Sequence, residues 1–165
     1  MERGKVGNMR GLKDKVAVVT GAAGGIGTAI CRRFLDEGVN VIAIDVNADA
    51  LKQLAADLGA DESRMLCVAA DISDYRAVKK GVDSGVSRFG KLDILVNNAG
   101  WDIAKPFLQT EPDLWDKIIA VNLLGPLNLH KAALPHLIAA GGGKVVNIAS
   151  DAGRVGSSGE AVYSA

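Results

Sequence analysis

The sequence is poor in cysteine, carries no excess of charge and contains no long apolar run. Its two cysteines, Cys31 and Cys67, lie inside predicted secondary-structure elements and lack the spacing of metal ligands. They are interpreted as small buried residues of a reducing compartment, so neither a disulfide framework nor a metal site is expected. Lys plus Arg (19) equals Asp plus Glu (19), and this balance gives no basic surface for nucleic acid. No run approaches the roughly 18 apolar residues of a membrane helix.

The N-terminal stretch is polar and glycine-rich, without the apolar segment that secretory signals contain. We therefore expect residues 1–12 to form a flexible tail and the protein to be cytoplasmic. Residues 13–165 contain no linker and no internal repeat, and their number suits one domain. With 48% hydrophobic residues, the chain has enough apolar side chains for a sizeable core.

The most informative stretch is a short apolar run followed by a glycine-rich turn. Val16 to Val19 carry no charge and predict a strand buried on both faces, as in a parallel sheet. Gly21, Gly25 and Gly27 lie in the turn, and a helical pattern follows. This order predicts a phosphate-binding unit, because the helix N-terminus offers free N–H groups and the glycines let phosphates approach the backbone. Taken alone, such a turn is also compatible with a simple connection between a strand and a helix.

Apolar runs typical of strands alternate with helical patterns along the rest of the chain. The predicted strands begin near Val16, Asn40, Met65, Leu92 and Lys144. The alternation predicts an α/β protein with a doubly wound parallel sheet in the strand order 3-2-1-4-5. Ligands of such sheets bind at the carboxyl ends of the strands. A long helix predicted over residues 112–139 contains Pro126, which predicts a kink.

Acidic residues follow the second and third predicted strands. Asp45 ends the second strand, where a carboxylate can accept hydrogen bonds from both hydroxyls of an adenosine ribose and repel a 2′-phosphate. No basic residue stands beside it, so the position favours NAD over NADP. The alternative is a solvated acid at the end of a strand. Asp71 follows the third strand, where it could equally be the N-cap of the next helix.

Four further features occur in a fixed order: Asn97-Asn98-Ala99-Gly100 after the fourth strand, Asn122 in the long helix, Ser150 after the fifth strand, and Tyr163 thirteen residues later. Together with the glycine turn, this set resembles the short-chain dehydrogenase/reductase family. The resemblance implies a Rossmann-type fold, an NAD cofactor, and the interconversion of a secondary alcohol and a ketone. It also implies a homo-oligomer when the protein is complete.

The family pattern places two groups of residues on this sequence. The implied cofactor-binding residues are Thr20, Gly21, Gly25, Ile26, Gly27, Asp45, Asp71, Ile72, Asn98, Ala99 and Gly100. The implied catalytic residues are Asn122, Ser150 and Tyr163. In the family, the Asp after the third strand meets the adenine ring, and the Asn holds a kinked helix whose free carbonyl binds a relay water. Pro126 agrees with that role, because it removes the N–H that would otherwise bond the carbonyl of Asn122; taken alone, an Asn in a helix is a structural or surface residue.

Ser150 and Tyr163 are expected to serve the chemistry directly. Reduction of a ketone builds negative charge on its oxygen, which a proton donor must neutralise. The Tyr163 phenol can donate that proton, and the Ser150 hydroxyl can hydrogen-bond the same oxygen. The family pattern continues as Y-x-x-x-K, with a lysine that binds the nicotinamide ribose.

The sequence departs from the family pattern after Tyr163. The lysine would fall at position 167, and the chain has 165 residues. We therefore expect a C-terminally truncated chain with a Rossmann-type domain that is incomplete at its C-terminal side. Such a chain should have little activity, and its fifth strand should be an exposed edge. A non-catalytic nucleotide-binding fragment is the alternative from another class of protein.

Two stretches narrow the resemblance within the family. Trp101-Asp102 and the residues from Asn147 to Ala165 are similar to dehydrogenases of 2-hydroxycyclohexanecarboxyl-CoA and 3-hydroxyacyl-CoA. The implied substrate is an acyl-CoA thioester with a β-hydroxyl group, and 3-oxoacyl-[acyl-carrier-protein] reductase is the alternative activity. Trp101 either lines a ring-binding pocket or covers an edge of the core. Arg154 either helps to bind an acyl-CoA or caps a loop.

Overall fold

Five strands form one parallel sheet in the computed structural model, which describes residues 11–165. Most of the predicted tail, residues 1–12, lies outside the described residues. Strands β1 to β5 cover Val16–Thr20, Asn40–Asp45, Met65–Ala69, Ile94–Asn97 and Lys144–Asn147. Their order is β3-β2-β1-β4-β5, and every neighbouring pair is parallel. The α/β architecture and the strand order predicted from the sequence are confirmed.

Helices connect the strands and cover both faces of the sheet. Helices α1 to α7 cover Gly25–Asp36, Ala48–Leu58, Tyr75–Phe89, Pro112–Ile119, Gly125–Ala139, Ala152–Val155 and Ala161–Ser164. Side-chain caps fix two of their starts, because Asn47 accepts N–H bonds at the start of α2 and Asp74 does so at α3. Asp71 is therefore not the N-cap of α3. Of the helices in the described range, none has the length and apolar character needed to cross a membrane.

The core consists of two apolar layers, one on each face of the sheet. Alternate residues of a strand point to opposite faces, so Val16 and Val18 pack towards α3 and α5 while Ala17 and Val19 pack towards α1 and α2. Cys31 belongs to the second layer, where burial, and to a smaller extent Cys67, raises the pKa of its thiol to about 12. The interpretation of Cys31 as a buried small hydrophobic residue is confirmed.

The long helix predicted over residues 112–139 is interrupted. Between α4 and α5, residues Ala120–Leu124 form a π-helical turn, in which Gly125 N–H bonds the carbonyl of Ala120 five residues earlier. Pro126 lies in the first turn of α5, so the irregularity precedes the proline instead of being centred on it. The physical reason is that Pro126 has no N–H for the carbonyl of Asn122, which favours a widened turn at that point.

Strand β5 lies at the edge of the sheet, and each of its residues is exposed. Its apolar side chains share this exposure, with 36% for Val145 and 44% for Val146. The predicted exposed edge is therefore confirmed.

Asp93 joins the amino ends of β1 and β4. The residue is 7% exposed. Its carboxylate accepts hydrogen bonds from Lys15 Nζ at 2.8 Å and from Val16 N–H at 2.9 Å, and Lys91 Nζ lies 3.1 Å away. Burial opposes ionisation, but these three donors outweigh it and hold the pKa of Asp93 below its usual value of 3.8. The ionised form therefore stabilises the fold.

Replacement of this carboxylate should destabilise the protein in a pH-dependent way. At pH 7 we expect Asp93→Ala to lower the free energy of unfolding by about 2–3 kcal/mol. A carboxylate whose pKa is lowered by folding stabilises the protein above its unfolded pKa, and this stabilisation is lost as the pH falls through the folded pKa. The difference in unfolding free energy between wild type and Asp93→Ala should therefore be smaller at pH 3. Urea unfolding at both pH values measures it. Asp57→Ala, at an exposed site, should change stability by less than about 0.5 kcal/mol; a pH-independent Asp93 effect would contradict the assignment.

Candidate active site

The glycine turn between β1 and α1 brings the backbone very close to itself. Gly21 has a φ of +60°, and a Cβ there would lie 2.8 Å from Ala99 Cα. A Cβ at Gly27 would lie 2.0 Å from the carbonyl oxygen of Gly21, which no side chain can accept. At Gly25, by contrast, a Cβ would meet nothing within 4 Å. Gly25 therefore faces open space at the start of α1.

This turn fits a pyrophosphate. The N-cap residue of α1 is Gly24, which has no side chain, so the first N–H groups of the helix are not capped by a side chain. They carry the partial positive charge of the helix N-terminus, and the glycines leave room for phosphate oxygens to approach. Ile26 is 61% exposed and belongs to this surface, although its helical spacing from Ile30 is typical of a core position.

Thr20 and Asn98 lock the ends of β1 and β4 together. The Thr20 hydroxyl accepts hydrogen bonds from Asn98 N–H at 3.0 Å and Ala99 N–H at 3.1 Å. Asn98 Nδ2 donates to the carbonyls of Thr20 at 2.9 Å and Gly21 at 3.2 Å. Thr20 is only 1% exposed, so its side chain shapes the floor of the site and does not face a ligand. Asn98, Ala99 and Gly100 remain partly accessible around it.

Asp45 lies beside the glycine turn at the end of β2. Its Oδ2 accepts from Ala23 N–H at 3.1 Å, and its Oδ1 accepts from Asn47 N–H at 3.0 Å. The side chain is half-buried and has no cation among its described partners. Each carboxylate oxygen has a further lone pair for a ligand hydroxyl. Asp45 is thus anchored to the turn that fits the pyrophosphate.

Asp71 and Ile72 form a loop at the end of β3. Asp71 is exposed, and its Oδ1 accepts from Ser73 N–H at 2.8 Å and Ser73 Oγ at 2.7 Å. Ile72 is 7% exposed and packs against Gly125 at the start of α5. The loop therefore lies at the same edge of the sheet as Asp45, one strand farther from β1.

A cleft of about 800 Å³ opens at the carboxyl ends of β4 and β5. It brings together the three predicted catalytic residues, Asn122, Ser150 and Tyr163. Four of the predicted cofactor residues line it as well: Ile26, Asn98, Ala99 and Gly100. The remaining predicted cofactor residues, Thr20, Gly21, Gly25, Gly27, Asp45, Asp71 and Ile72, are not among its lining residues. The candidate site thus consists of this cleft and the neighbouring edge of β1 to β3.

Asn122 reaches the cleft from the π-helical turn. Its Oδ1 accepts from Trp101 N–H at 2.8 Å, and its Nδ2 donates to the Trp101 carbonyl at 2.7 Å. Both ends of the amide are therefore engaged with one backbone segment, and the turn is fixed to the end of β4. The Trp101 ring lies under the ammonium group of Lys117, at 3.8 Å, and is not part of the cleft lining. This placement favours the interpretation of Trp101 as a cover of the core edge.

Ser150 and Tyr163 approach the cleft from the last part of the chain. Ser150 Oγ accepts from Ala152 N–H at 3.2 Å, which places the hydroxyl at the start of α6. Tyr163 lies on α7 and is half-buried. Arg154 pairs with Asp151 at 2.9 Å, and both side chains are mostly exposed. The ion pair agrees with a loop-capping role for Arg154.

Two further groups line the cleft: His130, which the sequence analysis did not identify, and Asn97, which belongs to the Asn97–Gly100 motif named there. His130 lines it, and its Nδ1 lies 2.6 Å from the carbonyl oxygen of Pro126. Its position eight residues after Asn122 on a nearly continuous helix is the signal that could have found it. Asn97 Nδ2 donates to Asn147 Oδ1 at 2.8 Å across β4 and β5. Its own Oδ1 is buried without a partner among the described residues.

The chain matches the sequence model of the short chain dehydrogenase family over residues 15–165. It therefore belongs to the short-chain dehydrogenase/reductase family. D-threitol dehydrogenase of Mycolicibacterium smegmatis is 40% identical over 144 residues, which cover 87% of this chain and 55% of that protein.

Solved structures agree in fold. NAD⁺-bound xylitol dehydrogenase superposes with a TM-score of 0.88 at 33% identity, covering 94% of this chain and 60% of its own. A 3-ketoacyl-(acyl-carrier-protein) reductase from Brucella melitensis complexed with NADH gives 0.86 at 34% identity, covering 93% and 64%. The TM-scores confirm the Rossmann-type fold inferred from the sequence. The coverages show that the chain spans less than two thirds of the length of these relatives.

Proposed function

We propose that the protein is an NAD-dependent oxidoreductase that interconverts a secondary alcohol and a ketone. The observation that carries the proposal is the cleft, whose lining contains Asn122, Ser150 and Tyr163 together with Ile26 near the start of α1. Membership of the short-chain dehydrogenase/reductase family supports it. A non-catalytic nucleotide-binding role is the competing proposal, and an activity assay decides between them.

The residues of the β1 to β3 edge would hold the cofactor. Gly21, Gly25 and Gly27 leave room for the pyrophosphate, and the N-terminus of α1 neutralises part of its charge. Asp45 would accept hydrogen bonds from the adenosine ribose, and the Asp71 loop would receive the adenine. When bound, NAD supplies a nicotinamide ring that exchanges a hydride with the substrate carbon.

The residues of the cleft would handle the proton. In the oxidation direction, Tyr163 accepts the proton of the alcohol hydroxyl as the hydride leaves the carbon that bears this hydroxyl, and a C=O bond forms. Ser150 donates a hydrogen bond to that oxygen and fixes its position. Asn122 holds the π-helical turn against the segment after β4 through its two bonds to Trp101. In the reduction direction, Tyr163 returns the proton to the alkoxide oxygen.

Asp45 should determine the choice between NAD and NADP. A 2′-phosphate would meet a carboxylate already engaged with Ala23, so we expect the wild type to prefer NAD by about 100-fold, a typical cost of an unpaired like charge. Asp45→Ala combined with Val46→Arg should shift that ratio towards NADP by about 100-fold or more. Calorimetric titration with each cofactor measures the ratio. Asp49→Ala, an exposed acid on α2, is the control and should leave it unchanged; equal affinities in the wild type would refute this role.

We propose a β-hydroxyacyl-CoA thioester as the substrate, with the 3-oxoacyl-[acyl-carrier-protein] reductase activity as the alternative. The similarity of Trp101-Asp102 and of the segment from Asn147 to Ala165 to hydroxyacyl-CoA dehydrogenases supports the first. The reductase from Brucella melitensis supports the second. The threitol and xylitol dehydrogenases favour a small polyol as a third class.

A substrate panel separates these classes. The enzyme encoded by the complete reading frame that contains this chain is assayed by NADH formation with 3-hydroxybutyryl-CoA, threitol and xylitol, and by NADH and NADPH consumption with acetoacetyl thioesters. The proposal expects the highest kcat/KM for the hydroxyacyl-CoA with NAD. A polyol preferred by tenfold would replace the thioester assignment, and inactivity with every alcohol and ketone would favour the nucleotide-binding role.

We also propose a cytoplasmic location and a homo-oligomeric state. Exposed apolar side chains on α5 outside the cleft lining support an oligomer, with exposures of 41% for Leu134 and 74% for Ile138. Apolar patches of this kind are commonly covered by another protein surface.

A further inference from the structure

A side chain of α5 holds the loop between β3 and α3. Asn128 Nδ2 donates to the carbonyl oxygen of Ile72 at 2.9 Å and to that of Ser73 at 3.1 Å. Asn128 is half-buried, and its partners are more than fifty residues away in sequence. These bonds therefore join two distant parts of the chain through a single amide group.

Gly125, one turn earlier on α5, supports the same loop. A Cβ at Gly125 would lie 2.5 Å from Ile72 Cδ1, so Ile72 packs directly on the backbone of the helix. The loop is closed from its other side by Asp71, whose Oδ1 accepts both donors of Ser73. The conformation of the loop thus depends on contacts with α5 and on the hydrogen bonds within the loop that Asp71 accepts from Ser73.

The held loop keeps one donor and one acceptor unused. No hydrogen bond of the described residues involves the Ile72 N–H or Asp71 Oδ2. The pairing edge of adenine presents one acceptor, N1, and one donor, the N6 amino group. A base is read through hydrogen bonds to this edge, so one protein donor and one protein acceptor match adenine and mismatch hypoxanthine.

We propose that Asn128 is a positioning residue that sets the adenine selectivity of the cofactor site by fixing the Asp71–Ser73 loop. The inference rests on the proposed function, because it takes this loop as the adenine subsite. Asn128 acts through the loop and does not itself contact the base. The segment from Asn122 to Asn128 then serves both ends of the cofactor, with Asn122 at the reacting end.

The test compares NAD with nicotinamide hypoxanthine dinucleotide, whose base carries N1–H and a carbonyl oxygen in place of the amino group. In the analogue, a donor replaces the acceptor that the Ile72 N–H would bind, and an acceptor replaces the donor that Asp71 Oδ2 would bind. Calorimetric titration of the wild-type chain should therefore show at least a tenfold preference for NAD. Asn128→Asp turns the donor into an acceptor facing two carbonyls. We expect it to weaken NAD binding about tenfold and the hypoxanthine analogue less than about threefold, which collapses the ratio. Asn128→Ala should show the same trend.

Lys131→Ala, at an exposed position of α5, is the matched control and should keep both affinities. Thermal melts of each variant check the fold. A variant that loses both affinities equally would show a purely structural role for Asn128 and overturn the inference. A wild type that binds NAD without preference over the analogue would also overturn it. A wild type that binds neither dinucleotide would instead contradict the proposed function.

Discussion

Tyr163→Phe should lower kcat of the enzyme from the complete reading frame by about 10³-fold, within the range that a positioned proton donor contributes. The substitution removes one hydroxyl group from the cleft lined by Ser150 and Asn122 and leaves the ring in place. Because the glycine turn is untouched, NAD affinity should change by less than about threefold. Stopped-flow or steady-state NADH formation measures kcat, and calorimetry measures the affinity.

The control is the only other tyrosine of the chain, Tyr75. Tyr75 packs against the core on α3, away from the cleft, so Tyr75→Phe should keep kcat within about twofold. A Tyr163→Phe enzyme with a near-normal rate would remove Tyr163 from the proton transfer. A loss of NAD binding in the same variant would indicate a structural defect instead.

Two glycines of the turn should separate binding from folding. Gly27→Ala places a Cβ 2.0 Å from the Gly21 carbonyl, so we expect a loss of stability of about 1–3 kcal/mol together with loss of NAD binding. Gly25→Ala meets no protein atom within 4 Å, so it should keep its stability. Its methyl group nevertheless projects into the space where we place the pyrophosphate. NAD affinity should therefore fall by about tenfold or more.

Chemical denaturation and calorimetry on the same samples measure both quantities. Asp57→Ala is the control, since Asp57 is exposed on α2 and lies outside both the glycine turn and the cleft lining. Unchanged NAD affinity in Gly25→Ala would place the pyrophosphate elsewhere. Unchanged stability in Gly27→Ala would show that the turn can relax around the new methyl group.

The sheet was predictable because its signals are local. Four consecutive apolar residues from Val16 to Val19 mark a strand buried on both faces, and the structure leaves all of them fully buried. The order of strands follows from the right-handed crossover rule. The boundaries were less accurate, since β4 begins at Ile94, two residues after the predicted start near Leu92.

The π-helical turn was only partly predictable. Pro126 indicates that the helix is disturbed, yet a missing N–H does not specify whether the chain bends or widens. The widening becomes apparent only with the contacts of Asn122 to Trp101, which lie twenty-one residues apart in sequence. The same reason hid Asn128, whose role depends on carbonyl groups that no sequence pattern identifies. Every residue has a backbone carbonyl, so a hydrogen bond to the backbone leaves no characteristic residue type at the accepting position.

Titration of this 165-residue chain with NAD and with NADP, in separate calorimetric experiments, is the most direct test of the central claim. The claim is that the glycine turn and Asp45 form a site for the dinucleotide that lacks a 2′-phosphate, NAD. We predict one NAD bound per chain, with an affinity about 100-fold above that for NADP. Absence of NAD binding, or equal binding of the two dinucleotides, would contradict the claim.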